Sequence, residues 1–111
     1  MAQAFNAAYE SLFGRPPGAY SALGYTCAQI LLQAIDANIG DGSDLTGLRE
    51  AVRAAIIGTD TVWTTVLGGL SFDANGDSSQ EWISFYETDP DLFEGVGGWN
   101  FLKQQNFAVP E

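Results

Sequence analysis

Pro16, Pro17 and Gly18 split the first third of this chain into two segments that cannot form one helix. Proline has no amide hydrogen and its ring collides with the preceding turn, so a helix begun upstream must end before it. Upstream, Phe5, Ala8, Tyr9 and Leu12 recur at offsets of three, four and seven. That is the spacing of one helix face and predicts an amphipathic helix from Ala2 to Phe13. Gly14 suits its C-terminal cap. Downstream, Leu23, Cys27, Ile30, Leu31, Ala34 and Ile35 form a wide apolar stripe. They predict a second helix from near Ala19 to the Ala37–Gly40 region. On that register Cys27 faces inward as a buried, inert thiol.

Gly40 to Ser43 is a loop, and Asp44 or Thr46 can cap a third helix by accepting free N–H groups of its first turn. Leu48, Val52, Ala55 and Ile56 supply its inner face, and Gly58 is placed to close it. Thr61 to Val66 is rich in β-branched residues and reads as extended chain or a short strand. Leu70 to Asp73 and Glu81 to Glu87 read as two strands around a polar turn at Ala74 to Ser79. Beyond Thr88 the periodicity dissolves. Residues 89–111 are expected to be an irregular tail whose aromatics, among them Phe93, Trp99, Phe101 and Phe107, pack on something.

Composition narrows the function classes. The 111 residues carry 14 acids against 4 bases, a net charge of -10. Nucleic acid is therefore an unsuitable partner, because neutralising phosphates needs clustered Lys and Arg. Hydrophobic residues make up 46% of the chain and aromatics 13%, which is enough for a modest core. There is no histidine, which removes the commonest general base and metal ligand and rules out the usual catalytic triad. Cys27 is the single cysteine, so no internal disulfide can form. No apolar run reaches the ~18 residues of a membrane span. The N-terminal residues lack the basic and apolar regions of a signal peptide.

Asp73 to Asp77 places oxygens at alternate positions, as a calcium loop does. The match fails at the glycine, which stands fourth where sixth is needed, and at Ser84, which stands where the bidentate Glu belongs. A tight turn with Asn75 and Gly76 at its tip is the expectation instead. Asp89, Asp91 and Glu94 have no fixed separation and read as a solvated acidic loop. Gly95 to Gly98 lacks the lysine and strand–helix context of a phosphate loop. No metal, cofactor or catalytic residue is expected, and an enzyme is the least expected class.

Four motifs occur in a fixed order: Phe5, Tyr9, Phe13 and Gly14; then Pro17, Tyr20, Gly24, Tyr25 and Ala28; then Leu48, Arg49, Ala51 and Ile56; then Val66, Gly68, Phe72, Asp73, Asn75, Gly76 and Asp77. Together they resemble the C-terminal portion of type I periplasmic binding proteins of the leucine/isoleucine/valine-binding family. These are the receptors of branched-chain amino-acid ABC transporters. The resemblance spans Phe5 to Glu87. It departs from the family pattern at Thr26 and Cys27, where Asp-Ala is usual, and it does not reach the tail.

The resemblance implies an α/β fold: a fragment of one lobe of a periplasmic-binding-protein-like, Venus-flytrap receptor, with about three helices plus a small β-hairpin. On this reading residues 1–88 are the C-terminal segment of the lobe and residues 89–111 the tail. It implies capture of an amino acid or small amide for an ABC permease, at a periplasmic or cell-surface location, with a signal peptide upstream. It also implies that Tyr20, at the start of the second helix, stands where the family sets an aromatic against the solute. There its ring would be an apolar wall and its hydroxyl a polar handle. Packing of Tyr20 against the lobe is the alternative. The clamp for the ligand's ammonium and carboxylate groups comes from earlier segments of the family's two lobes. The helices' apolar faces would then lack their usual partner, so self-association is a further expectation. The same fold can serve as a ligand-sensing regulatory domain, and the chain could also be a truncated module without its own ligand.

Overall fold

Helix α1 spans Ala2–Phe13 and stops where the sequence requires. Gly14 takes a φ of 67° and donates its N–H to the Glu10 carbonyl at 2.8 Å, closing the last turn. Pro16 and Pro17 then carry the chain over to helix α2, Ser21–Asn38. At the far end of α2, Asn38 Nδ2 donates to the Ala34 carbonyl at 2.8 Å. Helix α3, Leu45–Ile56, is capped by Asp44, whose Oδ1 accepts the Gly47 N–H at 2.8 Å. A Cβ on Gly47 would collide with that carboxylate, so the glycine and the cap go together. Of the two expected caps, Asp44 is the one used. At the other end Ile57 is the C-cap, in right-handed conformation, and Gly58 lies one residue beyond it.

The computed structural model describes residues 2–92 and 97–107. They show three helices and two small antiparallel two-stranded sheets, a mixed α/β architecture. The chain divides into two compact units, Met1–Ser79 and Gln80–Glu111.

In the first unit, strands β1 (Trp63–Thr65) and β2 (Gly68–Leu70) pair as Trp63↔Leu70, Thr64↔Gly69 and Thr65↔Gly68. Alternation turns Trp63, Thr65, Gly68 and Leu70 inward and leaves Thr64 and Gly69 outward. The core is Ile30 and Ala34 of α2 with Trp63 and Leu70, flanked by Val52, Ala55, Ile56 and Phe72. Two glutamines of α2 fix the hairpin in place. Gln29 Oε1 accepts the Val66 N–H at 2.9 Å, and Gln33 Nε2 donates to the Thr64 carbonyl at 2.9 Å. Thr65 Oγ1 locks the turn, donating to the Gly68 carbonyl at 2.8 Å and accepting the Leu67 N–H at 3.1 Å.

The buried line on α2 differs from the expected stripe. Thr26, Ile30 and Ala34, four residues apart, face the core. Leu23 and Leu31 stay about half exposed, and Cys27 is exposed rather than buried. The glutamine bonds set the helix rotation, and that rotation puts Thr26 inside and its neighbour Cys27 outside.

In the second unit, strand β3 (Trp82–Asp89) pairs antiparallel with strand β4 (Gly98–Asn106). Two expectations are corrected here. The partner of β3 is β4 and not the Leu70–Asp73 segment. Leu70 is already paired with Trp63, and Phe72 bridges to Ser78 across the Asp73 turn. Residues 98–106 are a strand and not irregular chain. Phe85 pairs with Lys103 and Tyr86 with Phe101, so Leu102 is an extra residue in the ladder. That bulge puts Trp99 and Phe101 out of step with the residues from Lys103 onward and hides the strand from a period-two reading.

Cross-strand contacts hold this ribbon together. The Tyr86 and Phe101 rings meet edge-on at 5.8 Å, Lys103 Nζ lies 5.1 Å from the Phe85 ring centre, and Gln104 Nε2 donates to Ser84 Oγ at 3.1 Å. Two strands alone are marginal in water, so the ribbon contributes little independent stability.

Thr26 Oγ1 and Trp63 Nε1 are buried without a hydrogen-bond partner among the described residues. A buried hydroxyl left unpaired costs about 1–3 kcal/mol, whereas an apolar group of the same shape does not. Thr26→Val is therefore expected to stabilise the chain by about 1 kcal/mol, seen as a higher denaturation midpoint with unchanged circular dichroism. Asp44→Ala is expected to cost about 1 kcal/mol through loss of the α3 cap, with the same measurement reading the opposite sign.

Candidate functional site

Helices α1 and α2 are joined by aromatic contact. Phe5 and Tyr25 approach ring to ring at 5.2 Å, and along α1 the series continues from Phe5 to Tyr9 at 6.0 Å and Tyr9 to Phe13 at 4.6 Å. Between the helices lies an open groove of about 550 Å³ lined by Phe5, Tyr9, Leu12, Phe13, Gly24 and Tyr25 among others. Its floor at Gly24 is clear: a Cβ there would meet no heavy atom within 4 Å. A second hollow of about 440 Å³ runs along the C-terminal half of α2, lined by Leu32, Gln33, Ile35, Asp36 and Ile39. Helices α1 and α2 carry two charged residues between them, Glu10 and Asp36, and no basic one. These surfaces can take apolar groups. They present no charged clamp for a small ion.

Tyr20 is the N-cap residue of α2, with φ -102° and ψ 2°, and its side chain makes no capping bond. It is 80% exposed. It lines neither hollow, although Ser21 beside it lines the groove. Its ring is therefore not packed against this unit and is open to contact from outside. Tyr25, by contrast, packs against Phe5. The groove itself was not legible as a site. The signal that could have found it is the series Phe5, Tyr9 and Phe13 on one face, opposite a glycine at 24.

The acidic residues have local duties. Asp73 Oδ1 accepts the Asn75 N–H at 2.8 Å and the Asp77 N–H at 2.9 Å, and Gly76 takes a φ of 86° at the tip. These are the bonds of a tight turn. Asp89 Oδ1 accepts the Asp91 N–H at 2.9 Å and its Oδ2 accepts Asn100 Nδ2 at 2.7 Å, so it anchors a turn to β4. Glu94 lies outside the described residues. Among the described residues no three His, Cys, Asp or Glu side chains gather as a metal site. No helix there is long and apolar enough to cross a membrane.

No protein-family model matches the chain, and no curated protein matches it.

The turn bonds hold the Asp73 carboxyl below its ordinary value, chiefly through the Asp77 N–H and then the Asn75 N–H. The same sign applies to Asp41, bonded by Ser43, and to Glu50, bonded by Arg53. A carboxyl whose folded value is lowered stabilises the fold above its unfolded value and loses that contribution as pH falls through the lowered one. Stability is therefore expected to decline below about pH 4. Asp73→Asn keeps an oxygen for the two N–H groups without the charge. It is expected to flatten that acid limb in a denaturation series against pH and to lower the neutral midpoint toward the acid value, because the charge that contributes above the unfolded value is gone.

Proposed function

We propose that the chain is part of an extracytoplasmic solute-binding protein that captures amino acids or similar small polar solutes for an ABC importer. The observation that carries this reading is α2. It is apolar around most of its circumference, yet only its Thr26–Ile30–Ala34 side is buried. A helix apolar all round belongs inside a larger body. In a doubly wound α/β lobe such a helix lies between the sheet and its neighbouring helices, and the ligand sits outside the strands' carboxyl ends. The Leu23, Cys27 and Leu31 line is the side such a sheet would cover.

Local structure supports the reading at each motif. Gly14 closes α1, Tyr20 opens α2, Leu48 to Ile56 lies on α3, and Asp73 to Asp77 forms the turn. Tyr20, exposed at the mouth of α2, would meet solute held mainly by segments outside this chain. Closure of two lobes about a hinge would then present the loaded form to a permease. This mechanism needs no cofactor.

The test is a thermal melt against a panel of amino acids and short amides. A ligand bound only by the folded form raises the midpoint by mass action. The 111-residue chain alone is expected to show no shift, because the charged clamp lies elsewhere. The same chain within the longer polypeptide that supplies both lobes is expected to shift. There Tyr20→Ala weakens binding by about tenfold, the loss of one aromatic contact. Absence of a shift with every solute in the two-lobed protein would sink the reading.

A further inference from the structure

We infer that the α1–α2 face is a self-association surface, and that its occupant in the isolated chain is a second copy of this chain. Charge decides the partner. The chain carries a net charge of -10, so most of its surface repels a copy of itself. Helices α1 and α2 hold two of its 14 acids, Glu10 and Asp36. Two copies can meet here with little like-charge contact. A partner recognised by charge finds nothing to pair with here. An anionic lipid surface is disfavoured too, since neither helix has a Lys or Arg for its headgroups.

Shape agrees with charge. A two-fold interface must fit itself, so one surface needs both a hollow and something to fill it. The groove has a clear floor at Gly24, and Leu12 on its wall is 76% exposed. Phe13 and Tyr25 are also more than a third exposed, and such aromatic side chains are typical of interface cores. Two copies laid α1–α2 against α1–α2 would give a four-helix layer with these groups at its centre. This surface is distinct from the Leu23, Cys27 and Leu31 line assigned above to a sheet, and it needs no solute.

Sedimentation velocity of the 111-residue chain, from low micromolar to submillimolar concentration, tests it. The mass is expected to move from one copy to two. Leu12→Glu is expected to weaken association at least tenfold. Gly24→Gln should do the same without harming the fold, because a Cβ at that position meets no heavy atom within 4 Å, the groove has room for the rest of the side chain, and Gln favours helix over Gly. Its far-ultraviolet circular dichroism should be unchanged. Trp99→Gln, on the β3–β4 ribbon, should leave the mass unaltered. Three results overturn the inference: a monomer at every concentration, open-ended growth beyond two copies, or association that Gly24→Gln leaves intact and Trp99→Gln removes.

Discussion

The fold of the first unit depends on how one helix is turned. Once Gln29 and Gln33 reach the Val66 N–H and the Thr64 carbonyl, the rotation of α2 about its axis is set. Ile30 and Ala34 then meet Trp63 and Leu70, and α3 closes the same core with Val52, Ala55 and Ile56. These hydrogen bonds are individually modest, about 1 kcal/mol each. Their weight lies in selection. An apolar helix can bury almost any side, and two amides choose which.

That choice explains what the sequence did and did not disclose. Stops and turns were legible, because each is made by one or two residues acting locally: Gly14 at the end of α1, Asp44 at the start of α3, and Asp73 with Gly76 at the polar turn. The buried face of α2 was not. Leu23, Cys27 and Leu31 make as good an apolar line as Thr26, Ile30 and Ala34, and the hydrogen bonds that separate the two are non-local. Strand pairing failed for a related reason. Leu102 inserts one residue into β4, so Trp99 and Phe101 fall out of step with the residues beyond the bulge. Of the site, Tyr20 was legible only through family resemblance, and the groove beside it not at all.

Exposed apolar surface links the two functional readings. A soluble monomer tolerates scattered apolar side chains, but contiguous patches mark places where something binds. Here they fall on distinct sides of one helix pair: a line suited to a sheet and a concave aromatic groove suited to its own copy. The polar residues contribute mostly to turns and caps.

The bonds from Gln29 and Gln33 also give the small hairpin a direction. Thr64 sits outward in the β1–β2 ladder, and its carbonyl, the group through which a further strand would join β1, is already occupied by the Gln33 amide. The edge of β1 is thus closed by a side chain in the way other proteins close theirs with a charge or a proline. The chain leaving β2 is engaged as well: the Ser71 N–H donates to Ser79 Oγ at 3.0 Å and the Ser71 carbonyl accepts the Ser79 N–H at 2.9 Å. The helix that organises the core thus also closes one edge of the hairpin, and the Ser71–Ser79 turn restricts the other.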